Sequence, residues 1–233
     1  MLFDISPSIS ERLAVWPGDT SVAREVLCDL AKGDAITLSS LRATVHLGAH
    51  ADAPSHYGHN APTIDQRPLE LYLGPCQVIR VPVPRNGLIT PHLLAGRVSN
   101  PSECGDRLNT CTAERGRMVV PRVLFATGTF PDPKHFHEDF AALSPELIEY
   151  LHGHGVRLVG IDTPSVDPFA SKDLPAHNAC LKHDMAILEG LVLNGVPEGV
   201  YELIALPLRL VGFDASPVRA VLRTLPSALS TAP

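Results

Sequence analysis

The chain has no CxxC pair, and its five cysteines are an odd count. A disulfide scaffold or a zinc ribbon is therefore poorly supported, and the thiols read as reduced, mostly buried side chains. There is no Lys/Arg cluster, and the formal net charge is −6. That argues against a nucleic-acid or anionic-membrane partner. No window reaches the ~18 apolar residues of a membrane-spanning helix. The opening residues MLFDISPSISERL place Asp4 where a secretory leader needs an apolar run, and they lack its basic start. A cytoplasmic protein is expected on that ground. No internal repeat, heptad or Gly/Ser linker divides the chain.

What is present suits one domain. The 233 residues are 45% hydrophobic and 19% charged. Such a chain can bury a core without disulfides or a structural metal, so a metal here would serve function. The runs AITLSSLRATVHL (35–47), CQVIRVPV (76–83), VVPRVLFATG (119–128), VRLVGID (156–162), AILEGLVL (186–193) and YELIALPLRL (201–210) read as strands. The last four are nearly continuous apolar stretches, as in strands covered on both faces. Thr90-Pro91 and Ser144-Pro145 each put a capping side chain before a proline at the first helical position. The second opens PELIEYLHGHG, which gathers Leu147, Ile148 and Leu151 on one face. A third helical stretch runs through AHNACLKHD (176–184). Residues 99–117 read as a polar loop of a length that is usually functional or mobile. Together these predict a single strand-rich α/β domain over 1–233.

The chemistry concentrates in VHLGAHADAPSHY (45–57), where three imidazoles and a carboxylate fall between His46 and His56. Gly48 and Pro54 disfavour a helix. In an extended strand, residues four apart are separated by roughly 13 Å. Two nitrogens on one zinc, each at ~2.1 Å, must come much closer. The prediction is a tight loop after a strand, with His46, His50 and Asp52 converging on an ion. Clustered His and Asp are usual zinc ligands, and three protein ligands leave the open position that a catalytic metal needs. His56 has two readings on chemistry alone: a proton shuttle, or a fourth ligand or support for the others. Glu189 sits inside the apolar run MAILEGLVL, twelve residues after His177. A glutamate there is costly unless paired or coordinating, although a half-exposed strand position would also tolerate it. His183, beside Asp184, reads as an ordinary surface histidine.

These segments resemble the cyclase-like family of metal amidohydrolases, and within it the kynurenine formamidases (arylformamidases). The family signature His-x-Gly-Thr-His-x-Asp-x-Pro-x-His appears here as HLGAHADAPSH. The likeness continues through WPGDT (16–20), YLGPC (72–76), GIDTPSVDP (160–168), SKDLPAH (171–177), MAILEGLVL (185–193), YELIALPL (201–208) and DASPVRAVLR (214–223). The resemblance implies a swivelling β/β/α fold, a homodimer and two zinc ions per subunit, with manganese the alternative metal. One zinc would be held by His46, His50, Asp52 and Glu189. The other would be held by His177, with Asp52 and Glu189 bridging. His56 would be the catalytic proton donor and acceptor, and Trp16 would line the substrate pocket. The implied reaction is hydrolysis of N-formyl-L-kynurenine in tryptophan catabolism. Leu47 and Ala49 stand where the family often has threonine, and the loop 99–117 is longer than is typical. The rival readings are a related hydrolase of a cyclic amide such as isatin, and a non-catalytic metal- or small-molecule-binding protein.

Overall fold

The computed structural model describes residues 1–94 and 120–225. The loop 99–117 lies outside the described residues, as do Cys104 and Cys111. The strands are β1 (Leu2–Asp4), β2 (Ala23–Cys28), β3 (Leu38–Arg42), β4 (His50–Asp52), β5 (Leu73–Arg80), β6 (Leu88–Ile89), β7 (Arg122–Ala126), β8 (Ala142–Leu143), β9 (Leu158–Ile161), β10 (Ala186–Glu189), β11 (Gly199–Ile204), β12 (Ala215–Pro217) and β13 (Val221–Thr224). Among the described residues two α-helices join them, α1 (Pro145–Gly153) and α2 (Pro175–Lys182). The architecture is strand-rich α/β, as the sequence predicts. One mixed sheet runs in the order β1-β13-β11-β5-β7-β9-β10-β4-β12. Its centre, β5-β7-β9-β10, is parallel, and antiparallel strands flank it on both sides.

The apolar runs at the sheet centre are continuous because both faces are covered. Val123, Phe125, Val159, Ile161 and Ile187 point into one core, with Leu147, Ile148 and Leu151 of α1 and Ala176 and Cys180 of α2. Leu124, Leu158, Ala186 and Leu188 point into the other, with Val78, Tyr201 and Leu203. α1 begins as predicted, with the Ser144 hydroxyl accepting from the Leu147 amide. The Thr90-Pro91 signal yields only a short 3-10 turn, Pro91–Leu94, among the described residues.

Two strands are shorter than their apolar runs, and both endings matter. The run 35–47 keeps strand structure only to Arg42, after which Ala43–Ala49 bends. The expected loop therefore covers 43–49 alone, and His50–Asp52 returns to a strand paired on both sides. The run 186–193 leaves its strand after Glu189, because Gly190 adopts φ +64. A Cβ at Gly190 would stand 2.1 Å from the Gly48 carbonyl oxygen. This glycine pair lets the segment carrying His46 and His50 lie directly on the end of β10. Leu47 sits in a small core with Leu13 and Val22, so packing rather than a hydroxyl fixes that turn of the bend.

Gly190→Ala should therefore lower the melting temperature by several degrees. Positive-φ strain alone costs on the order of 1–3 kcal/mol. Thermal unfolding followed by circular dichroism measures it, and an unchanged midpoint would show that the two segments need not touch.

Candidate metal centre

The pairing of β4 with β10 builds most of the site. Glu189 stands opposite His50, and Ile187 opposite Asp52. Opposed residues share a face, as do residues two apart along a strand. Ile187 faces the helical core, so His50, Asp52 and Glu189 face the same side. α2 packs there and carries His177. The bend before β4 brings in His46. His50, Asp52, His177 and Glu189 are each exposed by 4% or less.

The contacts are short and mutual. Asp52 Oδ1 lies 3.0 Å from His46 Nδ1 and 3.4 Å from His50 Nε2, and its Oδ2 lies 3.3 Å from His177 Nε2. Glu189 Oε2 lies 3.4 Å from His50 Nε2, and its Oε1 lies 3.4 Å from His177 Nε2. The amide of Val166 donates to Glu189 Oε1 at 2.7 Å and fixes that carboxylate. Glu189 is thus a buried, paired acid and not an edge-facing strand residue.

Asp52 and Glu189 are two carboxylates buried side by side, which is unfavourable without compensating positive charge. Neutral histidines cannot supply it. His50 Nδ1 is 2.8 Å from the Gly48 carbonyl, which can only accept, so Nδ1 carries the proton. His177 Nδ1 is likewise 2.7 Å from Asp167 Oδ2. Each neutral ring then turns a bare Nε2 toward carboxylate oxygens. His50 Nε2 and Asp52 Oδ1 are buried and have no hydrogen-bond partner, for the His46 approach to Oδ1 is close but poorly angled.

The acid–base balance reports the same demand. Burial alone would lower the His50 imidazole, yet Asp52 and Glu189 outweigh it and push it up to about 10. His177 is raised well above the usual range: Asp167, Asp52 and Glu189 overcome burial. Burial would raise Asp52, but His177, His46 and His50 hold it well below the ordinary carboxylate range. The cluster requires cations, either as extra protons or as metal ions. Imidazole nitrogens and carboxylate oxygens suit zinc, manganese or iron. The residues therefore fit a divalent metal.

Among the described residues, two groups of three bring one donor atom from each member within 4.8 Å of the others: His50, Asp52 and Glu189, and His46, Asp52 and His56. Asp52 is common to both. His177 touches both carboxylates but joins neither group. His56 is the exposed member, its ring centroid 4.2 Å from that of His46. Burial shifts its imidazole downward, the reverse of the other three histidines. Geometry alone leaves both readings of His56 open.

The cluster opens into a cavity of about 370 Å³. Gly128, Asp162, Ser165 and Glu189 line it just beyond or at the carboxyl ends of β7, β9 and β10. Open parallel sheets bind ligands at such ends. Trp16 forms part of the wall, packed on Phe136 and Phe169 at centroid distances of 5.4 and 4.9 Å. His183, by contrast, pairs with Glu149 outside the site.

Two aspartates escape a sequence reading. Asp167 accepts from the amides of Ala176 and His177 as well as from the His177 ring. Asp214 faces His46 Nε2 at 3.0 Å and His56 Nδ1 at 3.4 Å. Both lie in segments whose resemblance is noted above, but neither has a spacing that marks it as part of a histidine cluster.

Solved structures share this architecture. One described as a "potential metal-dependent hydrolase with cyclase activity" is 28% identical with a TM-score of 0.76, covering 95% of this chain and 96% of its own. A "predicted metal-dependent hydrolase" from Bacillus stearothermophilus is 28% identical with a TM-score of 0.73, covering 95% and 97%. Isatin hydrolase A from Labrenzia aggregata, bound to benzyl benzoate, is 22% identical with a TM-score of 0.74, covering 97% and 94%; this similarity is one of fold. The Cyclase family model matches residues 3–168, a stretch that includes His46, His50, Asp52, His56 and the Asp167 that supports His177. With the family model matched over most of the chain, and with His46, His50, Asp52 and His56 inside that match, the chain belongs to the Cyclase family.

Proposed function

We propose that this protein is a metal-dependent amide hydrolase that converts N-formyl-L-kynurenine to L-kynurenine and formate. The observation that carries the reading is the buried Asp52–Glu189 pair faced by Nε2 of both His50 and His177, at the end of an aromatic-walled cavity. His46, His50, Asp52, His177 and Glu189 would hold zinc, two ions per subunit, with manganese the alternative. Zinc bound there would supply Lewis acidity, which polarises a carbonyl and brings the pKa of water down to about 7. Solved structures described as metal-dependent hydrolases support the reaction class.

The chain's own groups do the rest. Hydrolysis adds water across the formyl C–N bond: a C–O bond forms, the C–N bond breaks, and one proton moves from water to the departing nitrogen. His56 is the group to move it. It lines the cavity, and Asp214 engages its Nδ1, leaving Nε2 for the reaction. Burial lowers its pKa, so the ring is neutral at pH 7 and accepts a proton before returning it. Trp16 and Phe136 offer flat apolar surface to an aryl ring. Isatin hydrolysis is the second reading, favoured by the fold shared with isatin hydrolases. The implied homodimer belongs to the same proposal, and sedimentation equilibrium measures it.

His56→Ala should lower kcat by about 10²–10⁴-fold while the protein keeps its metal. Turnover of formylkynurenine, isatin and simple aryl formamides by the zinc-loaded protein decides the substrate. Preference for isatin would exchange the two readings, and wild-type turnover by His56→Ala would remove the proposed proton transfer.

Metal binding should release protons. With its folded pKa near 10, the metal-free His50 ring carries two protons at pH 7.5 and must give one up. Calorimetry in buffers of different ionisation enthalpy should show at least about one proton released, and affinity should rise with pH. The sign for stability is opposite. A raised folded pKa stabilises fully below the unfolded value near 6.5, and that stabilisation fades as pH climbs toward 10. The metal-free protein should therefore lose melting temperature between pH 7 and 10, and the metal-loaded protein should not. Metal uptake without proton release would contradict this site.

A further inference from the structure

The three buried or half-buried histidines of the site are not used alike. His50 and His177 each commit Nδ1 to an outer acceptor, the Gly48 carbonyl and the Asp167 carboxylate, and turn Nε2 inward. His46 is reversed. Its Nδ1 faces Asp52 Oδ1 at 3.0 Å, and its Nε2 faces outward. The outer acceptor it needs is Asp214, whose Oδ2 lies 3.0 Å from that Nε2.

We infer that Asp214 is a positioning residue, fixing the ring and tautomer of His46 so that Nδ1 is the nitrogen offered to a metal, and steering His56 with the same oxygen. The inference rests on reading His46 as a metal ligand.

An ordinary surface pair is the simpler account, since Asp214 is 47% exposed and exposed pairs contribute little. Its anchoring argues otherwise. The Asp214 carbonyl accepts from the Ala53 amide at 2.8 Å, and the next residue, Ala215, stands in register with Asp52. The backbone of Asp214 is thus tied directly to the strand that carries the central carboxylate. Its side chain has a fixed distance to span, and Oδ2 meets two rings whose centroids are only 4.2 Å apart. A carboxylate accepting from Nε2–H leaves the Nδ1 lone pair as the only one available to a cation. It also makes that nitrogen a stronger base.

The test uses zinc-loaded protein with Asp214→Ala and Asp214→Asn. Zinc affinity is measured by competition with a chelator. The His46 tautomer is read from long-range ¹H–¹⁵N spectra of ¹⁵N-histidine-labelled protein. Asp214→Ala should weaken zinc binding by about 10–100-fold, the usual effect of losing an outer partner. In the metal-free form of the variant, His46 should also lose its preference for the Nε2–H tautomer. Asp214→Asn keeps an acceptor oxygen and should recover part of both. At saturating zinc, Asp214→Ala should lower kcat with KM within about twofold of wild type. A merely structural role would lower the melting temperature of the metal-free protein and leave zinc affinity and tautomer unchanged, and that result overturns the inference. Wild-type zinc affinity in both variants does the same while leaving the metal centre intact. Failure of the wild-type protein to bind zinc, manganese or iron would instead remove the metal reading itself, and this inference with it.

Discussion

Two carboxylates that cannot both be buried without a cation organise this molecule. Asp52 and Glu189 lie on adjacent antiparallel strands and face the same side, each within 3.4 Å of both His50 and His177. Their repulsion is real: each is the other's like-charged neighbour in a dry interior. The surrounding structure compensates with three imidazoles and an amide rather than with lysine or arginine. That choice decides the chemistry. An arginine would neutralise the acids permanently, whereas an imidazole can give up its proton and let a metal take its place.

The strands make such a centre rigid. Three of its groups come from two paired strands, where register fixes which side chains stand opposite one another. The fourth, His177, comes from a short helix whose first amides are clamped by Asp167. One residue therefore orients both the helix and the ring. The fifth, His46, comes from a bend, and a bend needs other restraints. Leu47 buried against Leu13 and Val22, and Gly48 lying against Gly190, provide them. Leu47 and Ala49, both buried, thus hold the bend by packing, and the neighbouring imidazoles converge.

Much of this was legible in the residues. The runs at 119–128 and 156–162 marked strands covered on both faces, because their centres, residues 123–126 and 158–161, carry no polar side chain. Ser144-Pro145 marked a helix start, because the cap and the proline act locally. The cluster from His46 to His56 marked a site, and Glu189 marked its distant partner by being expensive where it stood. Other features were not legible, for reasons of range. That His50–Asp52 is a strand depends on pairing with β10 and β12, which no local propensity reveals. That the run 186–193 stops at Glu189 depends on how closely Gly190 approaches Gly48. Asp167 and Asp214 look like common loop acids until the fold sets them against imidazoles.

The division between buried and exposed histidines carries the last step. A group that holds a cation is best kept away from water, where its partners act at full strength. A group that moves a proton must meet its substrate and change charge within the working pH range. His50 and His177 fulfil the first requirement: both are buried, and the acids beside them raise their pKa values. His56 fulfils the second. It lines the cavity with the others, but it alone among them is exposed and shifted downward. One short segment, HLGAHADAPSH, therefore supplies both kinds of histidine. The strand β4 separates them, burying His50 at its start and leaving His56 on the turn beyond its end, so that a buried and an exposed imidazole lie side by side without sharing an environment.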